Sequence, residues 1–296
     1  MIAQIAAVLL PVFCLAGVGY AWRLVGARFD LDFVTRVIMY VAGPCLVFSS
    51  LSQLTLPLAQ FMSIVWASIV MLVAIALAGL ALLKLLKLSV RSYLPAIAIG
   101  NTGNLGLPLS LFAFGERGLA LAIGVYVTNS VFQFTLVPML QSRASFWRTL
   151  LTTPVIYGAL AGILVLLTDA PVPEWVARTV GLLGDLMIPL MLLALGHTLG
   201  GLRADNLKLA FGLGAARLIL AFAIAVAVSE LMGLSGMAQG VLVLQGVMPA
   251  AVFTYLFAVR YERDADDVAG IVLVSTLLAA LLLPLFVSYS LWLSAR

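Results

Sequence analysis

The chain has 296 residues, 64% of them hydrophobic and 9% charged, with a mean hydropathy of +1.19. Soluble domains carry roughly 25% charged residues, so this composition excludes a soluble globular protein, and apolar runs of bilayer length recur from end to end, leaving no length for a separate soluble domain. The net charge of +4 and pI near 9.3 would point to nucleic acid in a soluble protein; here the basic residues sit in short loops, so topology accounts for them and no nucleic-acid partner is expected.

Polar breaks divide the chain into ten predicted spans, at about 4–22, 32–51, 60–83, 93–114, 117–140, 150–168, 175–199, 207–231, 236–258 and 265–292. The first has no basic segment ahead of it and reads as a retained helix, not a cleaved signal. Cys14 and Cys45, in the first two spans, read as small buried side chains with neither a disulfide nor a metal framework. The third span, QFMSIVWASIVMLVAIALAGLALL, carries no charge. The fourth contains GNTGNLGLPLSLFAFG, residues 100–115, which is poor helix material. Glycine costs about 1 kcal/mol and proline about 3 relative to alanine in a helix interior, and each freed backbone group costs several more in hydrocarbon.

Span five places Thr128, Asn129, Ser130 and Gln133 near mid-depth. Their bland role is interhelical hydrogen bonding, at about 0.6 kcal/mol each; the sharper one is a ligand site. Span six has GALAG from Gly158 to Gly162, suited to a close helix contact within the chain or, alternatively, between copies. Asp185 in span seven and Arg217 in span eight need a partner or a cavity, since a lone charge at a helix centre costs about 2.5–3.5 kcal/mol on insertion scales. They either pair with each other or with backbone carbonyls, or act: Arg217 on a substrate carboxylate, Asp185 on a proton. His197, the only histidine, reads as a solvated or capping residue at the end of span seven. Span nine carries Gln245-Gly246-Val247-Met248-Pro249, and the YERDADD run at 261–267 reads as a solvated loop.

Twelve basic residues fall in loops 1–2, 3–4, 5–6, 7–8 and 9–10: Arg23, Arg28, Arg36, Lys84, Lys87, Arg91, Arg143, Arg148, Arg203, Lys208, Arg260 and Arg263. The opposite side holds Arg117, Arg178 and Arg296. The positive-inside rule therefore puts both termini on the periplasmic or extracellular side of a bacterial cytoplasmic membrane.

The halves resemble each other. Pro11 and Pro154 are offset by 143 residues, Pro44 and Pro189 by 145, and Pro108 and Pro249 by 141; Gly124 precedes Pro138 by fourteen residues, as Gly270 precedes Pro284. The expected organisation is two five-span repeats, 1–140 and 150–296, joined by a short cytoplasmic linker at 141–149. Five is odd, so the second copy is inverted, an arrangement used by transporters. The fold class is then an all-α membrane protein with an inverted 5+5 repeat and broken, crossing spans four and nine. Pro108 and Pro249 are suited to begin the second half-helices, whose free N–H groups would attract an anion at mid-depth.

GNTGNLGLPL resembles the fourth-span signature of the auxin efflux carrier family, which includes plant PIN proteins and bacterial malonate transporters; a more distant likeness is to the bile acid/sodium symporter superfamily. The resemblance implies a scaffold of spans 1, 2, 6 and 7, a transport domain of spans 3–5 and 8–10 moving as an elevator, and a homodimer. It matches Asn101, Asn104 and Pro108 to the first crossover and Pro249 with Gln245 to the second; the residues themselves add Gly103, Asn129, Gln133 and Arg217 as candidate substrate contacts. The plant members' long central loop and charged third span are missing, so a small organic acid is the expected substrate, in place of auxin chemistry. In the symporters, span-four and span-five oxygens help hold sodium; Thr128 and Asn129 are the candidates here, with Asp185 for a proton, but Gln245 is neutral where a carboxylate is wanted. No cofactor is implied.

The leading function is thus a secondary transporter of a small organic anion, a carboxylate such as a dicarboxylate or an auxin-like acid, with a sodium-coupled organic anion symporter of the bile acid type as the alternative. An intramembrane enzyme lacks a nucleophile, metal set or aspartyl dyad, and a channel fits poorly with a buried mid-depth break.

Overall fold

A computed structural model describes residues 2–53, 57–142, 151–168, 170–202 and 206–296. Arg143, Arg148 and Arg203, and the linker expected at 141–149 from residue 143 onward, lie outside the described residues. Among the described residues the chain is all-helical, and its extended pairing is a single antiparallel bridge between Gly100 and Ala250.

The helices are α1 (Ile2–Val25), α2 (Leu31–Val37), α3 (Gly43–Ser52), α4 (Leu58–Leu85), α5 (Val90–Ala98), α6 (Leu107–Ser142), α7 (Pro154–Thr168), α8 (Glu174–Asp185), α9 (Met187–Leu199), α10 (Leu207–Leu231), α11 (Gly236–Gly246), α12 (Val252–Arg260) and α13 (Ala265–Ser294). Wide π turns join α2 to α3 (Ile38–Ala42) and lead into α6 (Thr102–Gly106). Among the described residues, seven helical stretches are long and apolar enough to cross a membrane. The three predicted spans missing from that set are informative. Spans four and nine are broken into pieces too short to cross alone, and span six is a helix of 15 residues. Spans four and five run on through α6, where Gly115 at φ 66° makes the turn between them, a backbone state open to glycine without a side-chain penalty.

Two packing groups result. In the first, α1 lies along α9 and α3 along α7 and α8; in the second, α4, α5 and α6 pack with α10, α11 and α13. Small residues make the first group close. A side chain at Gly19 would land on the Leu193 carbonyl and one at Gly196 on the Ala16 carbonyl; Gly158 and Gly162 meet Pro44 and Leu51 of α3 in the same way. GALAG is therefore an intramolecular contact surface. Outward faces carry exposed Leu77, Leu164, Ile219 and Leu281, as lipid contact requires.

The contrast along α1 is testable. Gly19→Ala should lower the melting temperature in detergent, overpacking costing about 1–3 kcal/mol. Gly17→Ala, where an added Cβ meets nothing within 4 Å, should be neutral or slightly stabilising. Equal melting of the two variants would mean that α1 and α9 do not meet here.

Several expectations change. Cys14 is exposed on α1 and Cys45 is half-buried, though both are free thiols. His197 is buried and stacks on Phe29 at 4.5 Å, so it is a packing residue and not a solvated one. The 261–267 loop is tied down: Ser92 Oγ donates to Asp264 at 2.5 Å, Tyr93 to Asp267 at 2.7 Å, and Arg263 to the Gln141 carbonyl at 3.0 Å.

Candidate functional site

The two broken helices meet backbone to backbone. Asn101 N–H donates to the Pro249 carbonyl at 2.8 Å and Ala251 N–H to the Ile99 carbonyl at 3.0 Å, an antiparallel pair in the middle of the bundle. Other elements satisfy what this pair leaves open. Asn129 Nδ2 on α6 donates to the Gly100 carbonyl at 3.1 Å, and the Ala250 N–H donates to Ser275 Oγ on α13 at 3.1 Å. Arg217 on α10 takes the carbonyls of Ile97 at 2.8 Å, Ala98 at 3.3 Å, Gly246 at 3.3 Å and Met248 at 3.1 Å. Unpaired backbone is tolerated in a membrane only where such partners or a polar cavity exist.

A cavity of about 40 Å³ adjoins this crossing. Its polar side is made by residues 100–104 and by Asn129, Ser130 and Gln133; Tyr126, Phe134 and Phe253 add aromatic wall; Ile38, Met39 and Met191 face them from the first packing group. Asn101 Nδ2, Thr102 Oγ1 and Asn129 Oδ1 are buried and have no hydrogen-bond partner among the described residues. Helical hydrogen bonding after the first break starts with Leu105 and Gly106, both onto the Asn101 carbonyl, so the amides of 102–104 stand at the head of a helix that continues through α6. On the other chain segment Thr254 makes the first such bond, onto Ala251, which leaves Val252 and Phe253 at the head of α12. Both half-helix N-termini therefore border the cavity, each with a partial positive charge. Two larger hollows, of about 370 and 250 Å³, are walled by apolar side chains such as Leu72 and Phe132 or Phe13 and Leu277, and offer nothing to fix a charged solute.

A family model described as membrane transport protein matches residues 138–287, just over half of the chain. The chain belongs to that family. The likeness read from GNTGNLGLPL to the auxin efflux carriers agrees with it. The transporter is 27% identical to an uncharacterized transporter of Methanocaldococcus jannaschii over 308 aligned positions, covering 94% of this chain and 96% of the relative. It is 29% identical to an uncharacterized transporter of Methanothermobacter thermautotrophicus, covering 94% and 95%. A multi-pass membrane protein with transporter relatives gives no support to an enzyme.

Within the transporter, the structure brings Asn101, Gly103, Asn104, Asn129 and Gln133 to one cavity, and leaves the other predicted site residues off its wall. Pro108 does not open the second half-helix; that helix starts six residues earlier, and Pro108 sits in its second turn. Pro249 precedes α12 by three residues and serves the crossing through its carbonyl. The breaks consequently align with Gly100 opposite Ala250, an offset of 150, and not at the 141 of the two prolines. Gln245, fully buried, donates to Ser110 Oγ at 3.0 Å beside Gly106. Arg217 lies behind Gly100, separated from the cavity by that residue's backbone, with carbonyl partners in place of a carboxylate. Asp185 is exposed at the end of α8 and makes no pair with Arg217; the ion pair among the described residues joins Arg178 and Glu174. Thr128 Oγ1 bonds within its own helix to the Gly124 carbonyl at 2.9 Å. Thr102 and Ser130 complete the polar wall. Nothing in the sequence marks Met39 and Met191, which are apolar residues among apolar residues.

Proposed function

We propose that this transporter carries a small organic anion, a mono- or dicarboxylate, docked at the crossing of the two broken helices and moved by an elevator-like displacement. The observation that carries the reading is the convergence of two half-helix N-termini and three unpartnered buried polar atoms on one mid-bundle cavity. A carboxylate accepts from open amides and from Asn101 Nδ2, while the Asn104 amide orients it and Tyr126 and Phe253 cover its carbon skeleton.

The cavity holds little more than water in this state, so the two packing groups must part for a solute to enter. Their arrangement supports that motion. The first group (α1–α3, α7–α9) is the scaffold and the second (α4–α6, α10–α13) the transport domain, and contacts across the boundary are few compared with those inside each group. An inverted repeat is supported by matched pairings: α1 with α9 mirrors α7 with α3, and Asn129 serves the first crossover from α6 as Ser275, 146 residues on, serves the second from α13. Gly124 and Gly270 are separated by the same 146 residues. Positive-inside topology puts both termini outside the cytoplasmic membrane.

The test is uptake and counterflow in proteoliposomes with a panel of mono- and dicarboxylates, with and without sodium and at two pH values. The expected result is saturable exchange of one acid class. Asn104→Ala should cut uptake at sub-saturating substrate by about ten-fold or more, the range for losing one hydrogen bond to a charged group, with melting unchanged. Transport of a neutral or cationic solute, with every carboxylate inert, would overturn the reading.

A further inference from the structure

Arg217 is 2% exposed, carries the largest fully buried side chain among the described residues, and spends its two terminal nitrogens on four carbonyls at the ends of two different helices. Ile97 and Ala98 are the last turn of α5; Gly246 and Met248 are the end of α11 and the second residue beyond it. A helix C-terminus carries roughly half a negative charge. Two such ends meeting in a low-dielectric bundle amount to roughly one, which a single guanidinium cancels. Carbonyl oxygens converging at a broken helix are also the usual hold for a monovalent cation. Here those oxygens are already taken.

We infer that Arg217 is a resident cation, covalently fixed where a bound alkali ion would otherwise neutralise the crossing, so that the broken helices stay closed at every stage of the cycle without sodium. The consequence for coupling rests on the transport reading above: movement of the solute requires no cation at the crossing. The oxygens that remain near the crossing, on Thr102, Thr128 and Asn129, are all neutral, and the described lining of the cavity carries no carboxylate to add the charge a hard cation prefers.

The experiment separates these two levels. Purified Arg217→Ala should melt at least about 5 °C below wild type. Guanidinium at millimolar concentration, far below the molar range in which it denatures, should restore half or more of that loss, whereas urea, the neutral molecule of the same shape, should not. Arg217→Lys should fold and melt between the two, and Arg217→Gln should melt at or below Arg217→Ala. Wild-type melting, and wild-type flux with choline in place of sodium, should be unchanged within two-fold for flux. The inference is overturned if urea restores as well as guanidinium, if Gln matches Lys, or if wild-type melting or flux requires sodium. Absence of any carboxylate flux would defeat the transport reading alone, because the melting results do not depend on it.

Discussion

Gly100→Ala should cost about 3–5 kcal/mol of stability, the range for unpairing a buried charge, and abolish transport, although it adds one methyl group. A Cβ at this position would fall on Arg217 Nη2 and lie 3.5 Å from the Met248 carbonyl. The guanidinium has no slack to give, because its terminal nitrogens are held from both helices at 2.8 to 3.3 Å. If it moves away, the carbonyls of α5 and α11 are left without partners in a buried site, and the bridge between Gly100 and Ala250 must open or shift. A double-mutant cycle isolates the cause. In an Arg217→Ala background the added methyl has room, so the second substitution should cost little, and the coupling should be large. Equal costs of Gly100→Ala in both backgrounds, read from melting in detergent, would show that the glycine is needed for something other than the arginine behind it.

Much of this arrangement is legible in the sequence, and the limits are physical. Two glycine- and proline-bearing segments at bilayer mid-depth, the first with two asparagines as well, cannot remain regular helices, so the existence of the breaks follows from composition alone. Their register does not. Pro108 looks like the first residue of a half-helix, since its missing N–H is free of penalty there. Instead the widened turn over Thr102–Gly106 lets the chain accept Pro108 inside a helix, because a π turn relaxes the clash that proline imposes on the carbonyl four residues earlier. Arg217 is recognisable as a charge in need of partners; which partners depends on a crossing between segments 150 residues apart, and no local pattern encodes that. Gln245 illustrates the converse. Its polarity at repeat-matched depth marks it as a site residue, yet its amide reaches Ser110 and fills the space a side chain at Gly106 would need. The apolar wall of Met39 and Met191 is silent because a residue lining a cavity and one facing lipid look alike in a chain this hydrophobic.

Asn101→Asp should separate folding from function more sharply than any truncation. Asn101 precedes the turn beginning at Thr102, is 4% exposed, makes no side-chain capping bond, and leaves its Nδ2 without a partner. Aspartate has the same shape and replaces that unsatisfied donor with an acceptor at the head of the helix, where a negative charge is favoured by about 0.3–2 kcal/mol. Removing an orphaned buried donor adds about 1–3 kcal/mol, which offsets the desolvation of the new carboxylate. Melting should therefore stay level or rise. The effect on transport has the opposite sign. A fixed negative charge about 4 Å from a bound carboxylate repels it by about 4 kcal/mol at an effective dielectric of 20, which is roughly a thousand-fold in affinity. Uptake of the acid at sub-saturating concentration should fall at least a hundred-fold, while the neutral Asn101→Ser control falls far less. A simple structural role for Asn101 predicts melting and uptake falling together. If Asn101→Asp carried the acid with an unchanged KM, the carboxylate would not dock against residues 101–104, and the cavity at the crossing would have to serve some other purpose.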